Sequence, residues 1–224
     1  MVVNKKKTQI LCFSDALTYK AAAYFEDGDG DRVASRTDGK MKVLGFHLDG
    51  RPSVHAHVEA LKIRMRDTVW VLRHLKLAGF TEKELAVVYR TVVRPVLDYC
   101  AVVYHPMLTD EQDQQVERMQ ARALKNIYEY KDSYAVMREK AGVATHRARR
   151  IEMCDKFASK AAGSARFSAW FPLREGRGGR HAETYREFPA RTDRLYNTPL
   201  YYFRRRLNGK QGKEYGERNR RYRE

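Results

Sequence analysis

The hydrophobic period of this chain changes abruptly near residue 50, and that change limits the folds open to it. Residues 41–50 read Met-Lys-Val-Leu-Gly-Phe-His-Leu-Asp-Gly, an apolar–polar alternation with one break where Leu44 follows Val43. Taken as a strand, the stretch puts Leu44, Phe46 and Leu48 on one face and stops at Asp49-Gly50. Before it lie short β-type runs and turn residues. After it, apolar residues recur every three or four positions. Strands gathered at one end and helices at the other exclude an alternating α/β architecture. The expected class is α+β, predominantly α: a small antiparallel β edge, a helical domain, and a basic, partly irregular C-terminal extension.

In the β part, Thr8-Gln-Ile-Leu-Cys-Phe-Ser14 has strand composition and ends at Asp15. Residues 19–25 and 32–35 predict a hairpin around the acidic turn 26–31. A sheet this small is marginal in water, so a missing neighbour from outside the chain is expected beside it. Asp27, Asp29 and Asp31 have the spacing that begins a calcium loop. The sixth and twelfth positions of such a loop, which need Gly and Glu, hold Arg32 and Asp38, so the segment reads as a turn and not a metal site.

Helical signals begin at Ser53. Val54, Val58, Leu61, Met65, Val69, Leu72 and Leu75 form one face, Gly79 ends the helix, and Thr81-x-x-Glu84 opens the next with a capping box. Pro95 should kink or break that second helix. The run 96–104 is apolar enough to be buried all round. Thr109-x-x-Gln112 predicts a further helix to about Tyr128, residues 134–141 a short one ended by Gly142, and Thr145 caps another through Ala161.

Charge narrows the function. The 224 residues carry a formal net charge of +16, and the pI is near 9.8, which suits a partner rich in phosphate because each neutralised phosphate releases a counterion. Lys62, Arg66 and Arg73 share a second face of the first helix with Trp70 between them, a stripe able to track a backbone or simply to be solvated. Residues 174–224 hold 15 Lys/Arg against 7 Asp/Glu. Arg204, Arg205 and Arg206 stand there among tyrosines. Two readings stay open for this tail: a single-strand grip by charge and stacking, or a disordered or localisation-type arm.

Catalytic chemistry finds little footing. Cys12, Cys100 and Cys154 are too far apart for a disulfide framework or a zinc pair and read as reduced thiols. His55 and His57 point to different faces of a helix, so a helix-start histidine packing on the sheet is expected and no zinc site. His47 falls on the opposite strand face from Phe46. No nucleophile elbow or phosphate-cradling glycine loop is present. No apolar run reaches membrane length, and the N-terminus lacks a signal-peptide core, so a soluble intracellular chain, nuclear or cytoplasmic, is expected.

Four segments together resemble a family. Asn4-x-x-Lys7-Thr8 followed by the 8–14 strand looks like the segment after the catalytic aspartates in reverse transcriptases of non-LTR (LINE-type) retrotransposons. Lys42-Val-Leu-Gly-Phe-His-Leu-Asp49 looks like their primer-grip strand, and Ser53-Val54-x-x-His57-Val58 and Arg94-Pro-Val-Leu-Asp-Tyr-Cys100 resemble thumb helices. The match runs over residues 2 to about 130. It implies palm-edge strands and a primer-grip-like hairpin in 1–50, a thumb-like domain in 51–142, a further helix in 143–173, and an extension in 174–224. It assigns Lys7 to the lysine near the leaving pyrophosphate, and Leu44, Gly45 and Phe46 to the grip. Lys62, Arg66 and Arg73 would face phosphates. The aspartates that hold two Mg2+ ions in the family would lie upstream of Met1. The chain is therefore expected to need no cofactor of its own, to bind RNA–DNA or RNA duplex, and not to polymerise alone. The competing expectation is a decayed or domesticated interaction module.

Overall fold

A computed structural model describes residues 11, 24–26, 32–34, 40–50, 53–128, 131–174 and 184–209. Its described part is mostly helical with small antiparallel β pairs, an α+β, predominantly α fold. The chain divides into two compact units, Met1–Ala60 and Leu61–Glu224. The strand expected over 8–14, apart from Leu11, and Lys7 with it, lies outside the described residues.

In the first unit, β1 (Tyr24–Glu26) pairs with β2 (Arg32–Ala34), Tyr24 opposite Ala34. This is the hairpin expected around 26–31. The 41–50 stretch departs from expectation. It is two strands, β3 (Lys40–Val43) and β4 (Phe46–Asp49), with Met41 opposite Leu48 and Val43 opposite Phe46. Leu44 and Gly45 form the turn, with φ of 47° and 85°. Positive φ at both central residues is the hairpin geometry that matches strand twist. The apolar face is thus Met41, Val43, Phe46 and Leu48, and Leu44 is not on it but 88% exposed. The break in the alternation was the turn.

Phe46 is 8% exposed and its ring lies 4.4 Å from that of buried His57. The histidine therefore packs on the hairpin. Asp49 anchors the helix that follows: its Oδ2 accepts from Ser53 Oγ at 2.9 Å and from the Ala56 amide at 3.3 Å.

Helix α1 (His55–Leu77) buries Val58, Leu61, Met65 and Leu72 and ends in a glycine cap. Gly79 takes φ of 94°, and the Phe80 amide reaches back to the Leu75 carbonyl at 3.1 Å. Thr81 and Glu84 form the expected capping box on α2 (Glu82–Val88). The expected disruption at Pro95 takes the form of a π segment, Tyr89–Val93, after which α3 (Arg94–Asp98) continues. The Arg94 amide bonds the Tyr89 carbonyl, five residues back, and the widened turn leaves room for a ring with no N–H to offer. The 96–104 run is cut in two by Cys100, left-handed at φ 57°, before α4 (Ala101–Tyr104).

Helix α5 (Asp110–Ile127) has the Thr109–Gln112 capping box, α6 (Tyr134–Ala141) the Gly142 stop, and α7 (His146–Ala162) the Thr145 cap. Their apolar faces close a core of Leu85, Tyr89, Val93, Leu97, Tyr104, Val116, Leu124, Ile127 and Met137, each 1% exposed or less.

The basic extension is not a bare arm where it is described. Helices α8 (Asp193–Tyr196) and α9 (Pro199–Leu207) form in it. Phe203 of α9 joins Cys154, Ala158, Ala161 and Phe171 in a second apolar cluster, its ring 5.3 Å from Phe157. The Asn208 side chain brackets the Tyr185 backbone, accepting from its amide at 2.9 Å and donating to its carbonyl at 3.0 Å.

Candidate nucleic-acid interface

Helices α1 and α5 bring together cations that are far apart in sequence. Burial of Leu61 and Met65 on α1 turns their successors Lys62 and Arg66 to one side. Burial of Val116, Ala123 and Leu124 on α5 does the same for Arg118 and Arg122. The four cations, with Ile63, Gln115 and Met119, line a groove of about 460 Å³. Among the described residues that line it, none is acidic.

Within each helix the two cations stand four residues apart, a like-charge spacing that costs a few tenths of a kcal/mol. An anion laid in the groove relieves that repulsion twice over. Local partners neutralise little of the charge on Arg66 and Arg118. Arg66 Nε meets Asp67 at 3.3 Å, but the two side chains are 76% and 66% exposed, where an ion pair contributes little. Arg118 Nη2 donates to Gln114 Oε1 at 3.4 Å, a neutral acceptor. Lys76 serves the fold instead. Its Nζ donates to the Ile127 carbonyl at 2.8 Å, capping the C-terminal end of α5 and tying it to α1. Groups placed as the four groove cations are can hold successive phosphates of a backbone without reading its bases.

The expected site residues therefore part company. Lys62 and Arg66 enter the groove; Arg73 is exposed seven residues further along α1. Leu44 and Gly45 cap the β3–β4 turn and Phe46 is packed on His57. Arg204, Arg205 and Arg206, read from the sequence as a single-strand grip or part of a basic arm, are engaged by internal partners. Arg204 Nε donates to the Trp170 carbonyl at 2.8 Å, and its guanidinium lies 4.4 Å from the Phe188 ring centre. Arg205 Nη1 donates to the Tyr196 carbonyl at 2.7 Å with its guanidinium 3.4 Å from that tyrosine's ring centre. Arg206 grips Asp155 with two nitrogens, Nε at 2.7 Å from Oδ1. Burial lowers the Arg205 pKa to about 10. Aromatic neighbours that looked like stacking surfaces for bases are occupied by the arginines themselves.

Sequence reasoning missed Arg118 and Arg122. Their signal was present: α5 carries Asp110, Glu111, Asp113 and Glu117 up to residue 117 and Arg118, Arg122 and Lys125 after it.

A second concentration of titratable groups joins α3, α4, α5 and α7. Arg150, fully buried, pairs with Asp113 through Nη2 and donates from Nε to His105 Nδ1 at 3.3 Å. Asp98 faces Arg149 at 3.4 Å, Arg94 at 3.8 Å and His146 Nδ1 at 3.8 Å. Burial, reinforced by Arg150, drives the His105 pKa down to about 3 and holds His146 well below the usual histidine range. Glu117 accepts from the His146 and Arg147 amides at 3.1 and 3.0 Å, which fastens α5 to the start of α7. These groups serve to join helices.

Among the described residues no three His, Cys, Asp or Glu side chains converge as metal ligands. Nor is any described helix long and apolar enough to cross a membrane. No family model, no curated protein and no solved structure matches this chain.

Proposed function

We propose that this chain is the palm-edge and thumb part of a reverse transcriptase of the non-LTR retrotransposon type, and that it holds the backbone of an RNA–DNA or RNA duplex without polymerising by itself. The observation that carries the binding half of this reading is the α1–α5 groove, with Lys62, Arg66, Arg118 and Arg122 on its walls and no acid among its described lining residues. Two of the four were expected at phosphates from the resemblance; the other two meet them from a different helix. In the family frame, Leu44 and Gly45 sit at the tip of a tight hairpin, where a primer backbone is able to approach closely. The family half of the reading rests on the order of its four sequence segments.

The test is fluorescence anisotropy of a labelled primer–template titrated with the full chain over a range of salt. Four phosphate contacts predict a slope of log affinity on log salt of about −3 to −4. Arg118→Ala with Arg122→Ala should flatten it by about 2 units. A slope unchanged by that pair removes the groove from the reading. A second reading, a domesticated module that binds polyanions generally, draws on the same four cations. Affinity for a random duplex equal to that for primer–template favours it.

A further inference from the structure

The outward side of α1 carries a feature the groove does not use. Trp70 is 61% exposed, although an indole is a side chain whose burial contributes heavily to a core. Its ring centre lies 3.6 Å from that of His74, with the planes tilted by 36°. The imidazole is fixed by its own helix, its Nδ1 lying 2.9 Å from the Trp70 carbonyl oxygen. A carbonyl only accepts, so Nδ1 carries the proton and the ring orientation is set. At that distance the rings lie face against face, so His74 backs one side of the indole on a rigid helix and the indole stays exposed on the other. Arg66, four residues before Trp70, and Arg73, three after it, lie on the same side of α1, both exposed. Arg66 is at the same time a wall of the groove.

We propose that Trp70 and His74 form a stacking platform for an unpaired base on a single strand leaving the groove, with Arg66 and Arg73 holding the phosphates on either side. This rests on the reading of the groove as a backbone site. Two properties select the occupant. The arginines call for a polyanion, and the exposed indole face, backed by His74, calls for a planar group laid on it; a single-stranded nucleic acid supplies both, whereas an acidic peptide supplies only the first. The geometry places no base-edge contacts, so the platform takes any base.

The experiment uses the full chain with Trp170→Phe, which leaves Trp70 as its only tryptophan, since the sequence has two. The probes are a dT oligonucleotide, its abasic counterpart, a blunt RNA–DNA duplex and polyglutamate. The dT strand should quench Trp70 emission saturably, and the abasic strand and polyglutamate should not. In the otherwise unaltered chain, Trp70→Ala should weaken binding of a labelled dT strand about 10- to 100-fold and leave the blunt duplex unaffected. Trp70→Tyr should restore most of the loss. Equal quenching by the abasic strand or by polyglutamate overturns the platform, as does an unchanged dT affinity for Trp70→Ala. If the blunt duplex binds while Trp70 stays silent toward the dT strand, the platform alone falls; if no duplex binds, the groove reading falls and the platform with it.

Discussion

Arginine has two fates in this molecule, and the sequence around it looks much the same in both. On α9 the run Arg204-Arg205-Arg206 is the most conspicuous basic cluster among the described residues, yet carbonyls, aromatic rings and Asp155 absorb all three. On α1 and α5 the cations come singly, four residues apart, among ordinary helix neighbours, and these are the ones that face an open groove. The difference lies in what the same helix turns inward. Helix α9 is short and must bury Phe203 to stay attached, so its arginines are drawn in with it. Helices α1 and α5 bury enough aliphatic surface to leave their cations outside. A basic run is therefore a poor guide to accessible positive charge, and here basic residues at helical spacing on two adjacent helices are the ones that line a groove.

The largest effect that sharpens this contrast belongs to the most buried cation. Arg150→Ala leaves Asp113 desolvated and without its main partner, and should cost about 3–5 kcal/mol of stability in urea unfolding. Arg205→Ala, which gives up one carbonyl bond and one ring contact, should cost about 1–3 kcal/mol and leave duplex affinity within error of the parent. Were duplex affinity to fall several-fold in that variant, the two fates would not be distinct. Groove variants must show the reverse: Arg122→Ala should weaken duplex binding with a melting temperature unchanged.

Acid tests the inner network as a whole. The His105 pKa is near 3 in the folded chain, and that of His146 is also depressed, against about 6.5 for an unfolded histidine. The unfolded chain then takes up more protons below 6.5, so stability falls as pH drops from 6.5 toward 3. Asp98 and Asp113, raised by burial, act in the opposite sense in the carboxylate range, which leaves about pH 6.5 to 5 as the window where the histidines dominate. Urea unfolding across that window should show the decline, and Arg150, which presses on both rings, links it to the same cluster. A flat profile contradicts the burial of both rings. The smallest effect is local: Leu44→Asn should stabilise the β3–β4 hairpin by about 1 kcal/mol, read by amide hydrogen exchange, because asparagine tolerates the left-handed turn that leucine resists.

What was legible beforehand was chemistry that acts within a few residues. Thr81 with Glu84, Thr109 with Gln112, Thr145, Gly79 and Gly142 mark helix ends through bonds to their own backbone, and each does so in the fold. The turn at Leu44-Gly45 was hidden because leucine rarely takes a positive φ, so an apolar pair in mid-alternation read as a continuing strand. Half of the groove was hidden for another reason. Arg118 and Arg122 gain meaning only when α5 is laid beside α1, a tertiary fact that no window of a dozen residues contains. The α9 arginines misled because side-chain burial there depends on rings at positions 188 and 196 and on an aspartate at 155.

The π segment before Pro95 bears on how this chain tolerates change in length. A turn of this kind is an α-helix holding one surplus residue. Within it, Tyr89 is tied to Gln120 at 2.9 Å and Arg90 to the Ala141 carbonyl at 2.7 Å; upstream of it Leu85, and beyond it Leu97 and Tyr104, are sealed in the core. Deleting a single residue from 89–93 would mend the regular ladder with the downstream phase nearly kept, whereas winding all five residues regularly would swing everything downstream by about 100° around the axis. The helix keeps its irregular turn because both of its ends are already spoken for.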